Sequence, residues 1–491
     1  MAGRMSGGTV AKAAGLYVFG NVTQKGAFFA TLPIYARMLD VDGYARWSLF
    51  LGLSAALSIA FDLAWSRAIP RLYYEYVGDP AGGDAYLFVS FLQRVCLLLA
   101  SILLFVGVAP IVIRAASAGR LSSPAFAAPL LAVCVSEAVV LFVCAAYRAR
   151  QQPLPFVSLK IGQAVMQLGV SFAMIVMAGL TPECAARGFA LGSVFAAAAA
   201  IVLFLSWARG MHRPSRAPFG ATFRANMRFS LPLVFHDYAS WLRNAADPFI
   251  IVQFLPLYSV SIYHIGYQFG LVIGLILYSV ELALSPFYFE LMKKDRQFEE
   301  KYMAITQAVI VCTFALAVTL ELFAREIIAV IFPIEVREAA RIAPLIVVGY
   351  FLLGLYSVYI KPFILLARTA VVPVITLGPT LLGIAGSVAL IPVLGVMGPA
   401  VSTIASLALL AGVSIAAAQR VMPLPYPFRL HCLLTMVVAI AGVASSSAWQ
   451  ATSGEVLIVK GGVWLSLMGA TCLMLARDRG RVVRLMTNRS L

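Results

Sequence analysis

Five cations stand inside or at the edge of long apolar stretches: Lys25, Arg94, Lys160, Arg243 and Lys361. A charge near the centre of a bilayer costs from about 3 kcal/mol upward, so such side chains usually face a protein interior or a water-filled cavity. The chemistry they offer is anion binding, an Arg fork spanning two oxygens and a Lys acting as a point charge. Snorkelling or a local ion pair is the alternative, and it accounts as well for Arg94 and better for Lys160, which lies near a span end. Lys25 has no acidic residue within a turn or two on its own helix, whereas Arg243 has Asp247 one turn later and Asp237 about two turns earlier.

Polar residues cluster around two of these cations. Asn21, Thr23 and Gln24 precede Lys25, while His236, Asp237, Ser240, Asn244 and Asp247 surround Arg243. Ser240, Arg243, Asn244 and Asp247 fall at three- and four-residue spacings and share one helical face, which a wet cavity explains economically. Asn21, Gln24, His236, Asp237, Asn244, Asp247 and Glu281 are therefore candidates for cavity lining or for coupling to H+ or Na+. The histidines His212, His236, His264 and His431 lack metal-ligand spacing, and the seven cysteines form no CxxC pair, so neither a metal nor a cofactor is expected. The cysteines mostly fall in apolar runs and read as buried free thiols. No Walker A, HExxH or GxSxG motif occurs, which points to ions or gradients and away from ATP as the energy source.

The elements that must position these residues follow from composition. Of 491 residues, 62% are hydrophobic and 12% charged, against about 45–50% and about 25% in soluble domains, and mean hydropathy is +0.92. This excludes a globular cytosolic enzyme, a disordered regulator and a secreted disulfide scaffold. About fourteen spans of about 20 residues can be marked off. They begin near Ala13, Tyr44, Tyr86, Pro124, Pro153, Gly188, Phe229, Leu257, Met303, Ile342, Val371, Gly398, Leu430 and Val456. The first span is broken by Asn21, Gln24 and Lys25 and reads as a retained helix, not a signal peptide. An even count puts both termini on one side. With that side cytoplasmic, about 23 basic residues fall there against about nine opposite, as the positive-inside rule requires. The net charge of +16 is thus a topology signal and an attraction for lipid headgroups, with no nucleic-acid partner implied.

The chain also repeats itself. An offset of 218 residues lays Lys25 on Arg243, Leu51-Gly52-Leu53 on Phe269-Gly270-Leu271, Arg150 on Arg368 and Pro155 on Pro373. After an eight-residue deletion, Gly188-Phe189-Ala190 falls on Gly398-Pro399-Ala400. The expected fold is an all-α polytopic membrane protein with two pseudo-symmetric six-helix bundles plus a C-terminal helix pair. Its expected divisions are 1–208, a basic cytoplasmic connection at 209–228, a second bundle at 229–420, and 421–491 with the last two helices and a basic tail. Substrate sites in such proteins lie between the halves, where Lys25 and Arg243 would meet.

Several segments resemble the polysaccharide transporters, or O-antigen flippases, of the multidrug/oligosaccharidyl-lipid/polysaccharide (MOP) exporter superfamily. They are Leu39-Asp40-Val41-Asp42-Gly43-Tyr44-Ala45, Asp62-Leu63-Ala64-Trp65-Ser66-Arg67-Ala68, Ser230-Leu231-Pro232-Leu233, Trp241-Leu242-Arg243-Asn244-Ala245-Ala246-Asp247, Ser285-Pro286-Phe287 and Ile391-Pro392-Val393-Leu394-Gly395-Val396-Met397-Gly398-Pro399-Ala400. The chain has Asp247-Pro248 where the family commonly has Asp-Arg. The resemblance implies a non-enzymatic flippase of the bacterial inner membrane. It would move a lipid-linked (undecaprenyl-diphosphate-type) oligosaccharide to the outer leaflet by alternating access, among membrane lipids and other polysaccharide-assembly proteins. Two rivals stand beside it. A cation-coupled multidrug exporter would use buried carboxylates such as Glu137, Asp237, Asp247 and Glu281. A membrane glycosyltransferase or polymerase would use Asp40-Val41-Asp42, a composition that also serves as an ordinary helix cap.

Overall fold

In the computed structural model the described residues are 7–76, 80–121, 123–209, 219–294, 298–366, 368, 371–447 and 454–487. Residues 210–218 of the basic 209–228 connection lie outside them, as do 1–6 and 488–491. The described chain is helical, without strands. Its α-helices in order are α1 (Gly7–Met38), α2 (Val41–Asp62), α3 (Trp65–Tyr76), α4 (Pro80–Ala116), α5 (Ser123–Ala149), α6 (Pro153–Ala178), α7 (Pro182–Ala208), α8 (Phe219–Ala245) and α9 (Asp247–Phe254). There follow α10 (Tyr258–Lys294), α11 (Phe298–Ile331), α12 (Ala339–Tyr359), α13 (Lys361–Leu365), α14 (Val372–Leu394), α15 (Met397–Val421), α16 (Phe428–Ser447) and α17 (Gly454–Thr487).

Among the described residues twelve segments are long and apolar enough to cross a membrane, α2 with α3 and α12 with α13 each counting as one. Helices α1 and α8, of 32 and 27 residues, are long enough to span but carry the polar clusters around Lys25 and Arg243. With these two the helices correspond to the fourteen expected spans. Local chemistry sets several boundaries. The Asp40 side chain accepts the Gly43 N–H at 2.9 Å and caps α2, so Asp40-Val41-Asp42 serves as a helix start. Thr181 caps α7 by accepting from Cys184 N–H at 3.2 Å. Leu63 and Ala64, at φ 50° and 53°, break the helix between α2 and α3, a conformation that costs side-chain-bearing residues energy and must be held by its surroundings.

The chain divides into two compact units, 1–253 and 254–491. In the first, α7 packs on α5 and α6, α5 on α2 and α3, and α1 on α6. In the second, α15 packs on α12 and α14, and α12 on α10, with α16 against α11 and α12 and α17 against α11. Three of these contacts recur along the 218-residue register, α7 on α6, α7 on α5 and α5 on α2 answering to α15 on α14, α15 on α12 and α12 on α10, whereas α8, the register partner of α1, lies in the first unit. The matched glycines make the same contact: a Cβ on Gly188 would lie 2.6 Å from the Ser171 backbone on α6, and one on Gly398 would lie 2.7 Å from the Leu390 backbone on α14. Of the cysteines, Cys134, Cys144 and Cys184 are buried, but Cys96, Cys312, Cys432 and Cys472 are exposed on helix surfaces, where an apolar run faces outward.

By its contacts the first unit includes α8 and runs to Gln253. A buried polar seam explains why α8 stays with α4. Gln93 Nε2 donates to Thr222 Oγ1 at 2.7 Å and to the Phe219 carbonyl at 2.8 Å. The Tyr86 hydroxyl donates to Asn226 Oδ1 at 2.7 Å, and Asn226 Nδ2 donates to Gln93 Oε1 at 3.2 Å. Thr222, Asn226 and Ser230 recur every four residues and form one fully buried face of α8.

Candidate functional site

The first unit encloses a cavity of about 670 Å³. Among the described residues, α1 contributes Gln24, Lys25 and Phe28 to its wall, and α2 contributes Ser54, Ser58 and Asp62. Ser66 and Arg67 of α3, Glu137 and Arg148 of α5, Gln167 of α6, Phe189 of α7 and Asp237 of α8 join them, and Ala55, Ile59, Ala64, Val133 and Leu141 make up the apolar part of the wall. The left-handed break at Leu63 and Ala64 lets one stretch of chain deliver Asp62, Ser66 and Arg67 to the same space.

Each lining carboxylate is tied to a cation. Asp62 accepts from Arg94, whose side chain is 1% exposed, at 3.4 Å, and from the Ser66 hydroxyl at 2.7 Å. The Arg94 guanidinium also donates to the Asp62 main-chain carbonyl at 3.0 Å. Asp237 pairs with Arg67. Glu137 lies 3.8 Å from the Lys160 ammonium and accepts from the Gln163 amide. Gln163 Oε1 in turn accepts from Gln24 Nε2 at 3.2 Å and from Lys160 at 3.5 Å, so one amide joins α1, α5 and α6. Arg148 donates to the Ser66 carbonyl at 3.2 Å. Counting Lys25, Arg67, Arg94, Arg148 and Lys160 against Asp62, Glu137 and Asp237, the site carries two positive charges in excess.

The expected residues distribute unevenly. Lys25, Gln24 and Asp237 line the cavity. Arg94 and Lys160 stand behind its wall as buried partners of lining carboxylates. Asn21 donates to the Tyr17 carbonyl within α1 at 2.9 Å. Arg243 is six residues beyond Asp237, about 240° around the helix, and is half-buried off the lining. On the wall of this cavity, within the first unit, α8 presents Asp237 and not Arg243. His236 and Asn244 are exposed, and Asp247 opens α9. Lys361 belongs to the second unit, where it pairs with Glu281. No group of three or more His, Cys, Asp or Glu suited to a metal occurs among the described residues. Sequence reasoning missed Ser54, Ser58, Asp62, Ser66 and Gln167 as site members, and with them Arg67 and Arg148, which fall at span ends and read there as topology charges. The Asp62-x-x-x-Ser66-Arg67 spacing was the available signal.

The cavity lies inside a bundle of membrane-length helices, and solved structures share that fold. The chain is similar to the lipid II flippase MurJ in an inward closed conformation, with 15% identity, a TM-score of 0.70, and coverage of 94% of this chain and 99% of that one. It is similar to an inward-facing multidrug resistance MATE family transporter of the MOP superfamily, with 13% identity, a TM-score of 0.66, and coverage of 89% and 96%. A MOP superfamily transporter from Pyrococcus furiosus, whose binding pocket is described as of reverse polarity, follows at 12% identity and a TM-score of 0.59, with coverage of 84% and 95%. No curated protein matches in sequence. The profile of the polysaccharide biosynthesis protein family matches residues 10–292, and the chain belongs to that family. It is a multi-pass membrane protein with the MOP transporter fold.

Proposed function

We propose that the protein is a flippase that moves a lipid-linked oligosaccharide, on an undecaprenyl-diphosphate-type carrier, from the cytoplasmic to the outer leaflet of a bacterial inner membrane. The observation that carries this reading is the charge excess of the cavity. Its carboxylates are matched by Arg94, Lys160 and Arg67, and Lys25 and Arg148 add two more cations to the same space. A diphosphate head suits that excess, while Gln24, Ser54, Ser58 and Gln167 offer neutral hydrogen-bonding groups for sugar hydroxyls. The apolar tail stays in lipid as the head passes. An inside-negative potential assists outward movement of an anion by about 2.3 kcal/mol per charge per 100 mV. Both termini are cytoplasmic in this reading, H+ or Na+ supplies any coupling, and other polysaccharide-assembly proteins receive the product.

The cavity carboxylates Asp62, Glu137 and Asp237 favour a second reading, export of cationic drugs by a MATE-like route. Their pairing with cations weakens it, because a cationic drug would have to displace three bound partners. Deletion of the gene followed by extraction of lipids separates the two. A flippase leaves a lipid-linked glycan accumulated on the cytoplasmic face. A drug exporter leaves the glycan lipids unchanged and the cells sensitised to cationic dyes.

A further inference from the structure

We infer that a second cavity, at the start of α8, is a binding site for the phosphate head of an anionic phospholipid. It has a volume of about 580 Å³, is lined by Leu72 of α3 and by Ala221, Arg224, Ala225, Arg228 and Phe229 of α8, and shares no lining residue with the cavity around Lys25. Arg224 and Arg228 are four residues apart, so their guanidiniums stand on one helical face, and no carboxylate is among the lining residues. The rest of the wall is hydrocarbon. Two forked cations beside an apolar surface match an anion that carries an alkyl chain.

The surroundings place this cavity at a membrane surface. Beyond Arg228 the outward side of α8 turns apolar, with Phe229, Leu231 and Phe235 at 37%, 53% and 72% exposure, as a helix does on passing from headgroups into hydrocarbon. The opposite side is fixed: Thr222 and Asn226 hydrogen bond to α4, and Phe223 packs on Trp65 of α3. The seam behind them therefore fixes the stretch of α8 that carries the two arginines, and with it the spacing of their backbone positions. Loose snorkelling of surface arginines would have neither the apolar wall nor the fixed backing.

The test is native mass spectrometry of the purified full chain in detergent, titrated separately with phosphatidylglycerol, phosphatidylcholine and inorganic phosphate. Phosphatidylglycerol should be retained at concentrations at least tenfold below those needed for phosphatidylcholine, and inorganic phosphate should not compete at equal concentration. Arg224→Gln and Arg228→Gln should each weaken retention about fivefold, the effect of removing one basic residue near a lipid surface. Arg429→Gln, an exposed arginine outside the cavity, should leave it unchanged. Ala221→Trp keeps both charges but fills the exposed edge of the groove, and should also abolish retention. Equal retention of the two lipids, or full retention by the Arg224→Gln, Arg228→Gln double variant or by Ala221→Trp, overturns the site. Competition by inorganic phosphate alone reassigns it to a free anion, and preferential retention of a co-purified lipid-linked diphosphate over phosphatidylglycerol reassigns it to the substrate; either result also overturns the phospholipid assignment.

Discussion

Arg94 closes on Asp62 at two points, the main-chain carbonyl at 3.0 Å and the carboxylate at 3.4 Å, where the left-handed residues Leu63 and Ala64 interrupt the helix. The guanidinium thus holds both the charge of a cavity carboxylate and a backbone carbonyl at the break. Removing one partner of such a buried pair typically costs about 3–5 kcal/mol, because the other is left charged and dry. Arg94→Ala should therefore lower the thermal midpoint of the detergent-solubilised protein strongly, and Arg94→Met with Asp62→Asn should restore most of the loss. Equal midpoints for the single and double variants would show that charge pairing is not what Arg94 provides.

Lys25 should act by charge. Lys25→Arg is expected to keep most glycan export and Lys25→Ala to lower it more than tenfold, with both proteins inserting and accumulating normally. Arg243→Ala, off the cavity wall, should have the smaller effect, and adding Asp247→Ala should not deepen it. Measured export of surface glycan in a deletion strain checks all four, and a silent Lys25→Ala removes the basic-cavity mechanism while leaving the fold intact.

The paired glycines predict matched damage in the two units. A methyl at Gly188 or Gly398 meets backbone within 2.7 Å, so neither contact can be relieved by turning a side chain. Gly188→Ala and Gly398→Ala should each destabilise by about 1–3 kcal/mol, the usual cost of overpacking. Gly169→Ala should do no harm, since nothing stands within 4 Å of its missing Cβ. Thermal unfolding of the three variants gives the comparison directly.

Sidedness can be read with thiol reagents. In a cysteine-free background, a Ser215→Cys variant should resist impermeant maleimide in intact cells and label once the inner membrane is opened. Labelling from outside would invert the proposed topology.

The span pattern was legible because apolar length survives any detail of packing, and even the polar spans α1 and α8 stood out by their neighbours. The cavity was legible only in part. Lys25 and Gln24 announced themselves by interrupting an apolar run, and Asp237 by its place in the polar cluster of the seventh span. The partners of Arg94, Lys160 and Lys361 did not, because Asp62, Glu137 and Glu281 lie on other helices and ion pairing across helices leaves no local spacing. Arg67 and Arg148 were hidden for a different reason: at a span end, an arginine that serves topology and one that turns into a cavity look alike in sequence. The side of α8 that faces the cavity depended on helix rotation, and the buried seam on α4 settles that rotation through residues that no sequence pattern had singled out.

That seam has a consequence for motion. Helices joined by interlocked hydrocarbon resist separation inside a bilayer with every contact at once, and slide poorly because each knob must leave its hole. The join between α4 and α8 is made largely of amides and hydroxyls. Each of these bonds contributes a net of only about 0.5–1.5 kcal/mol when water can take the vacated position. The seam therefore holds α8 in register while it stays dry, and water that reached these groups would replace its bonds one at a time.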